Sequence, residues 1–110
     1  MAGKFELYRC AAGHYRFRLR TDDGEEVLAS EAYPSKSDAE AGIASVRKHA
    51  PIDRRYERKT AGNGRYSFKL TAADHAIIGS SEPYTTESAR ESGIKSVKTN
   101  AISAGVDDKT

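Results

Sequence analysis

The sequence predicts an α+β fold: tandem β-β-β-α repeats with pseudo-two-fold symmetry, forming one antiparallel sheet with two helices packed on one face. Three observations predict it. Residues 5–50 align without a gap onto residues 56–101, and sixteen of the forty-six aligned positions are identical, so the chain is an internal duplication. Each copy contains a strictly alternating strand. In the first, Tyr15, Phe17 and Leu19 interleave with Arg16, Arg18 and Arg20. In the second, Tyr66, Phe68 and Leu70 interleave with Arg65, Ser67, Lys69 and Thr71. A period of two means one buried face and one wet face. Each copy then closes with an apolar helical stripe, Ala39, Gly42, Ile43 and Val46 in the first and Ala89, Gly93, Ile94, Val97 and Ala101 in the second.

After a lead-in at Met1–Lys4, Phe5–Arg9 reads as the first strand. Ala11-Ala12-Gly13 is a turn, and His14–Thr21 is the clearest strand of the copy. Asp22-Asp23-Gly24 closes a hairpin in which glycine is free to take positive φ. Glu25–Ser30 follows as a strand carrying Val27 and Leu28. Pro34 bars its continuation, and Ser35 is a helix cap with Asp38 three residues on. Arg47, Lys48 and His49 sit at the helix C-terminus, where the macrodipole favours cations, and Pro51 helps to stop the helix. The second copy repeats the plan: strands at Arg55–Thr60, Arg65–Thr71 and His75–Ser81, a turn at Gly62-Asn63-Gly64, and a helix capped by Thr86 that runs to about Asn100. Three strands and one helix are too small a unit to stand alone. The link from Pro51 to Arg54 is short, so the copies must be neighbours in one sheet of about six strands. The expected organisation is a single domain, 1–110, of two repeats at about 4–50 and 55–101. Residues 102–110 form a mostly mobile tail, in which Val106 offers an anchor for a short extra strand.

Hydrophobic residues make up 37% and charged residues 31% of the chain. No apolar run approaches the ~18 residues of a membrane span, and the first residues lack a signal-peptide core. The one cysteine, Cys10, cannot form an internal disulfide, which fits a reducing cytoplasm. A net charge of +2 is too weak to demand an acidic partner. The expectation is a cytoplasmic monomer with no membrane association and no cofactor, and with a protein or a nucleic acid as the partner to consider.

Particular segments carry a family resemblance: the opening MAG and FEL (Met1–Gly3, Phe5–Leu7), GIASVR (Gly42–Arg47), RYERKTAGNG with Tyr66, Phe68 and Leu70 (from Arg55), IIGSSEPY (Ile77–Tyr84) and SGIKSVK (Ser92–Lys98). Together they resemble the YegP-like family of small, uncharacterised bacterial proteins over essentially the whole chain. The resemblance implies tandem β-β-β-α units in one sheet, sometimes with strands exchanged between units at their C-terminal ends. It also implies that single-unit members pair as dimers, a pairing this chain mimics internally. It brings no activity, cofactor or site residues.

Two groups of residues invite a functional reading. Arg16, Arg18 and Arg20 share the outer face of one strand, and Lys69 takes the matching place in the second copy. On a sheet face left open by the helices, such a row could track a phosphate backbone. Glu6, Glu25, Glu26 and Glu57 lie near enough to neutralise it in cross-strand pairs. The second group is the motif Ser-Glu-x-Tyr that ends the third strand of both copies. Ser30, Glu31 and Tyr33 with Ser81, Glu82 and Tyr84 could form paired pockets for a small ligand, or simply tie down the strand-to-helix connection. Catalysis has little support. His14, His49 and His75 have no metal-ligand spacing, Cys10 is replaced by Ala61 in the second copy, and Gly62-Asn63-Gly64 lacks the strand-to-helix setting of a phosphate loop.

Overall fold

The structure is a computed structural model and describes residues 3–21, 24–60 and 62–110. The first copy forms β1 (Lys4–Arg9), β2 (Tyr15–Arg20), β3 (Glu26–Ser30) and α1 (Lys36–His49). The second forms β4 (Tyr56–Thr60), β5 (Tyr66–Thr71), β6 (Ile77–Ser80) and α2 (Glu87–Ala101), followed by β7 (Gly105–Asp108). Short 3-10 turns at Ala11–Gly13 and Asp53–Arg55 precede β2 and β4. Most of the predicted Asp22-Asp23-Gly24 turn, and Ala61, lie outside the described residues; Gly24 has φ of +87°. Both helices start as their sequences predict. Ser35 Oγ accepts from Asp38 N–H at 3.1 Å and Thr86 Oγ1 from Ala89 N–H at 3.0 Å, each relieving one orphan donor of the first turn.

The strands form one sheet in the order β4-β5-β6-β3-β2-β1-β7. Each copy is a three-stranded meander, and the two meet antiparallel along β3 and β6. Ala29 and Ser80 hold the same place in the two copies and are each other's register partners, so the pseudo-two-fold axis runs between them. Both helices cover one face and share a single apolar core, with Phe5, Leu7, Phe17, Leu19, Phe68 and Leu70 from the sheet against Ile43, Val46, Ile94 and Val97.

The axis is broken at its centre. Both copies share a bulge, with the register shifting between Leu19 and Arg20 and between Leu70 and Thr71, and in the first copy it lets both Val27 and Leu28 be buried. Gly79 takes the place of Leu28 in the second copy. A Cβ built on Gly79 would lie 2.9 Å from Leu28 Cγ, so one leucine fills the space on both sides.

Two expectations need correcting. The sheet is mixed and has seven strands rather than six antiparallel ones, and the segment expected to be a mostly mobile tail supplies the seventh. β7, from the end of the second copy, pairs parallel with β1 of the first, so the second copy lends a C-terminal strand to the first. The reason is largely polar. Lys109 N–H donates to Leu7 C=O at 2.8 Å. Arg47 Nη2 donates to Ala104 C=O at 2.6 Å. Lys36 and Lys4 pair with Asp108 and Asp107 at 2.5 and 3.4 Å. Val106, the anchor the sequence offered, stays 46% exposed.

The two outer strands are treated differently. Leu7 of β1 has β7 beside it and is fully buried. Its counterpart on the uncovered edge is Arg58, which lies opposite Phe68 and reaches Glu91 at 2.9 Å and Asp53 at 3.2 Å. A charge turned to the core side of an edge strand discourages pairing with a further strand.

Candidate functional site

The helix-free face carries the predicted basic row, and Glu6 organises it. Arg18 and Arg20 lie on β2, one residue to either side of Leu19, so both point away from the helices toward β1. Each donates its Nε to Glu6 Oε1 at 2.7 Å. Lys109 and Lys4 approach Glu6 Oε2 at 3.3 and 3.8 Å. Glu6 is only 5% exposed beneath these four cations. The hydrogen bond from Arg20, joined by those from Arg18 and Lys109, holds its carboxyl down to about 2 against the opposing pull of burial. Arg18 also lies over the Tyr8 ring at 4.8 Å and reaches Glu26 at 3.7 Å. Arg20 Nη1 donates to Gly24 C=O at 2.8 Å. Arg16 donates from Nη2 and Nε to Ser30 C=O at 2.8 and 3.2 Å.

Lys69 does not join this cluster. It sits on β5 opposite Glu57 and beside Ser80, across the pseudo-two-fold axis from the arginines. Glu57 itself pairs with Lys59 at 2.9 Å. The row is therefore one dense group on β1, β2 and β7 with a separate lysine on the other half.

The Ser-Glu-x-Tyr segments do not close into a shared pocket. Ser30 Oγ accepts from Phe17 N–H at 2.9 Å and donates to Glu31 C=O at 2.8 Å. Ser81 does the same with Phe68 and Glu82, each at 3.0 Å. Tyr33 exchanges both backbone hydrogen bonds with Tyr15, and Tyr84 with Tyr66. The two rings stack on Phe17 and Phe68, at 6.1 and 6.4 Å between centroids. Their hydroxyls lie over Gly42 and Gly93, where a Cβ would collide with the tyrosine. This explains a mid-helix glycine in both copies, at a cost of about 1 kcal/mol in helix propensity. Four of the motif's six residues, Ser30, Ser81, Tyr33 and Tyr84, are thus occupied in joining strand to helix. Glu82 does something further: it shares a hydrogen bond with Glu26 of the other copy, and this contact, second to burial, pushes the Glu26 carboxyl up. Glu31 is exposed.

The remaining reactive side chains stand apart. His14 and His75 are exposed, and Cys10 is a half-buried free thiol. His49 is buried with Nδ1 unpartnered, and burial, reinforced by Arg55 and Lys48, lowers its pKa. Among the described residues no group of three or more His, Cys, Asp or Glu side chains could hold a metal ion. Among the same residues no helix is long and apolar enough to cross a membrane.

One concavity was not anticipated. A cleft of about 400 Å³ lies between α1 and the β5–β6 turn, and Tyr33 is the only residue of the predicted pocket that lines it. The signal for it was present in the alignment of the copies, where Ala76 and Ile77 stand against Glu25 and Glu26.

Comparison with known proteins places the chain. Residues 11–57 and 61–108 each match the model of a domain of unknown function, DUF1508. Each match starts just before the middle strand and ends within the strand that follows the helix, a frame shifted from the three-strands-then-helix unit. The UPF0339 protein YegP of Escherichia coli K12 is 53% identical over 110 residues, the full length of both chains. A UPF0339 protein encoded upstream of the ptx operon of Stutzerimonas stutzeri is 46% identical over 96% of each chain. The solution NMR structure of the E. coli protein, described as of unknown function, superposes with a TM-score of 0.95 over 100% of this chain and 95% of that one. That of a Shewanella oneidensis UPF0339 protein, 41% identical, gives 0.93 over 98% and 92%.

Proposed function

The chain belongs to the YegP-like family of tandem DUF1508 domains, whose function is uncharacterised, and from that premise we propose that it is a non-enzymatic binding module. It acts as a cytoplasmic monomer and engages an anionic partner through the helix-free face of its sheet, with nucleic acid the first partner to test. The observation that supports this is the excess of cation around Glu6. Arg18, Arg20, Lys4 and Lys109 surround one buried carboxylate, and Arg16 continues the row. Arg18 and Arg20 meet Glu6 through Nε, and a guanidinium so anchored keeps terminal N–H groups in a fixed orientation for a phosphate.

The ion pairs also limit the affinity, because part of the charge is already spent on Glu6, Glu26 and Asp107. The expected interaction is weak and steeply dependent on salt. An amide-shift titration with short single-stranded and duplex oligonucleotides, at low and moderate salt, tests it. The expected result is shifts clustered on Arg16, Arg18, Arg20 and the β7 residues that fade with salt, and that the double change Arg16→Ala and Arg18→Ala weakens. Shifts absent at both salts, or unchanged in that double variant, remove the reading.

A further inference from the structure

The duplication supplies an internal control for the cleft beside Tyr33. We propose that this cleft, between α1 and the β5–β6 turn, binds a peptide segment that presents an apolar side chain next to an arginine or lysine. Its walls come from both copies. Tyr33, Asp38 and Ala41 belong to the first, and Ala72, Asp74 and Ala76 to the second. The volume of about 400 Å³ lies within the range of ligand sites, at the small end.

The equivalent positions around Tyr84 show which of these residues the fold itself requires. Ala41, Ala72 and Ala76 are matched there by Ser92, Thr21 and Glu25. The same backbone thus carries polar groups at all three places, so the apolar lining is not dictated by folding.

The acidic rim points to the sign of the partner. Asp38 stands where the other copy has Ala89, so this carboxylate too is particular to the cleft. Asp74 faces it from the β5–β6 turn, where Oδ1 accepts from Ala76 N–H at 3.1 Å. Neither carboxylate is ion-paired among the described residues. A surface that is apolar on its walls and anionic at its rim matches a side-chain pair with an aliphatic body and a cationic tip. The cleft lies on the helix side of the sheet, so this site is separate from the basic face and independent of what that face binds.

The test is an amide-shift titration of the full chain with N-acetyl-Leu-Arg-amide, with N-acetyl-Leu-Glu-amide, with N-acetyl-Ser-Arg-amide and with isoamylamine. The Leu-Arg peptide should give saturable shifts at Ala41, Ser45, Ala76 and Ile77, with a dissociation constant on the order of 1 mM. The Leu-Glu and Ser-Arg peptides should bind several-fold more weakly. Ala76→Glu and Asp38→Ala install the residue types that the other copy carries, so both variants should fold, and each should weaken the Leu-Arg shifts. Shifts that do not saturate, that are equal for the acidic peptide, or that persist in Ala76→Glu overturn the proposal. Equal shifts with isoamylamine alone also overturn it, because the occupant would then be a small amine and not a peptide.

Discussion

Replacing Glu6 with glutamine isolates the charge at the centre of the basic cluster. Glutamine keeps the shape and one acceptor oxygen, so what changes is the interaction with Arg18, Arg20, Lys4 and Lys109. The carboxyl falls from 4.5 in a free chain to about 2 in the fold, which corresponds to roughly 3 kcal/mol at ~1.36 kcal/mol per pH unit. Its partners are partly solvated, with side chains of Arg18, Arg20 and Lys109 that are 31%, 28% and 49% exposed. Solvent screening brings the expected loss to about 2 kcal/mol. Because the folded pKa lies below the unfolded one, this stabilisation is fully present above pH 4.5 and is lost as the pH falls towards 2. Urea unfolding of both proteins across this window is the assay. The two stabilities should differ near neutral pH and converge near the acid end. A gap of unchanged size at the acid end would assign the loss to packing, and no gap near neutral pH would refute the account of Glu6 altogether.

Two further outcomes follow from the packing. Gly42→Ala gains about 1 kcal/mol of helix propensity, yet its Cβ would meet the Tyr33 hydroxyl at 2.5 Å and Phe17 at 2.9 Å. Overpacking of this kind costs about 1–3 kcal/mol, so the melting temperature should fall, and Tyr33→Phe in the same chain should recover part of the loss. Burial, with Arg55 and Lys48 nearby, holds the His49 pKa below its ordinary 6.5. The unfolded chain therefore takes up this proton first on acidification. The contribution is complete above pH 6.5 and declines below it, so His49→Gln should flatten the dependence of unfolding free energy on pH in that interval.

Much of the fold was legible because the duplication states each element twice. The alternation through Phe17 and Phe68, the caps at Ser35 and Thr86 and the helical stripes all carry local signals. β7 was not legible to the same degree. Gly105–Asp108 contains one apolar residue, and its attachment rests on ion pairs with Lys4 and Lys36 and a hydrogen bond to Leu7, residues far away in sequence. The turn before β6 was misjudged for a different reason. His75 adopts φ of +69° where the first copy has Gly24, and the strand starts at Ile77 instead of His75. As for the candidate site, the sequence places Arg18, Arg20 and Glu6 in neighbouring strands, but not the burial that makes Glu6 their common anchor. The sequence offered Ser30 and Ser81 as ties for the strand-to-helix connection but not their partners, because each hydroxyl serves a backbone amide on another strand.

The leucine at the centre of the seam has a historical consequence. Leu28 occupies its own space and that of its counterpart, Gly79. A symmetric pair built from two first halves would bring two leucines into room for one. A pair built from two second halves would place glycine against glycine and leave a hollow. Each half now fits only the other, so the change from twin units to a single chain has become a one-way step. Severing the linker after Ala50 would yield unequal fragments that assemble with each other in preference to themselves, as a lock and its key.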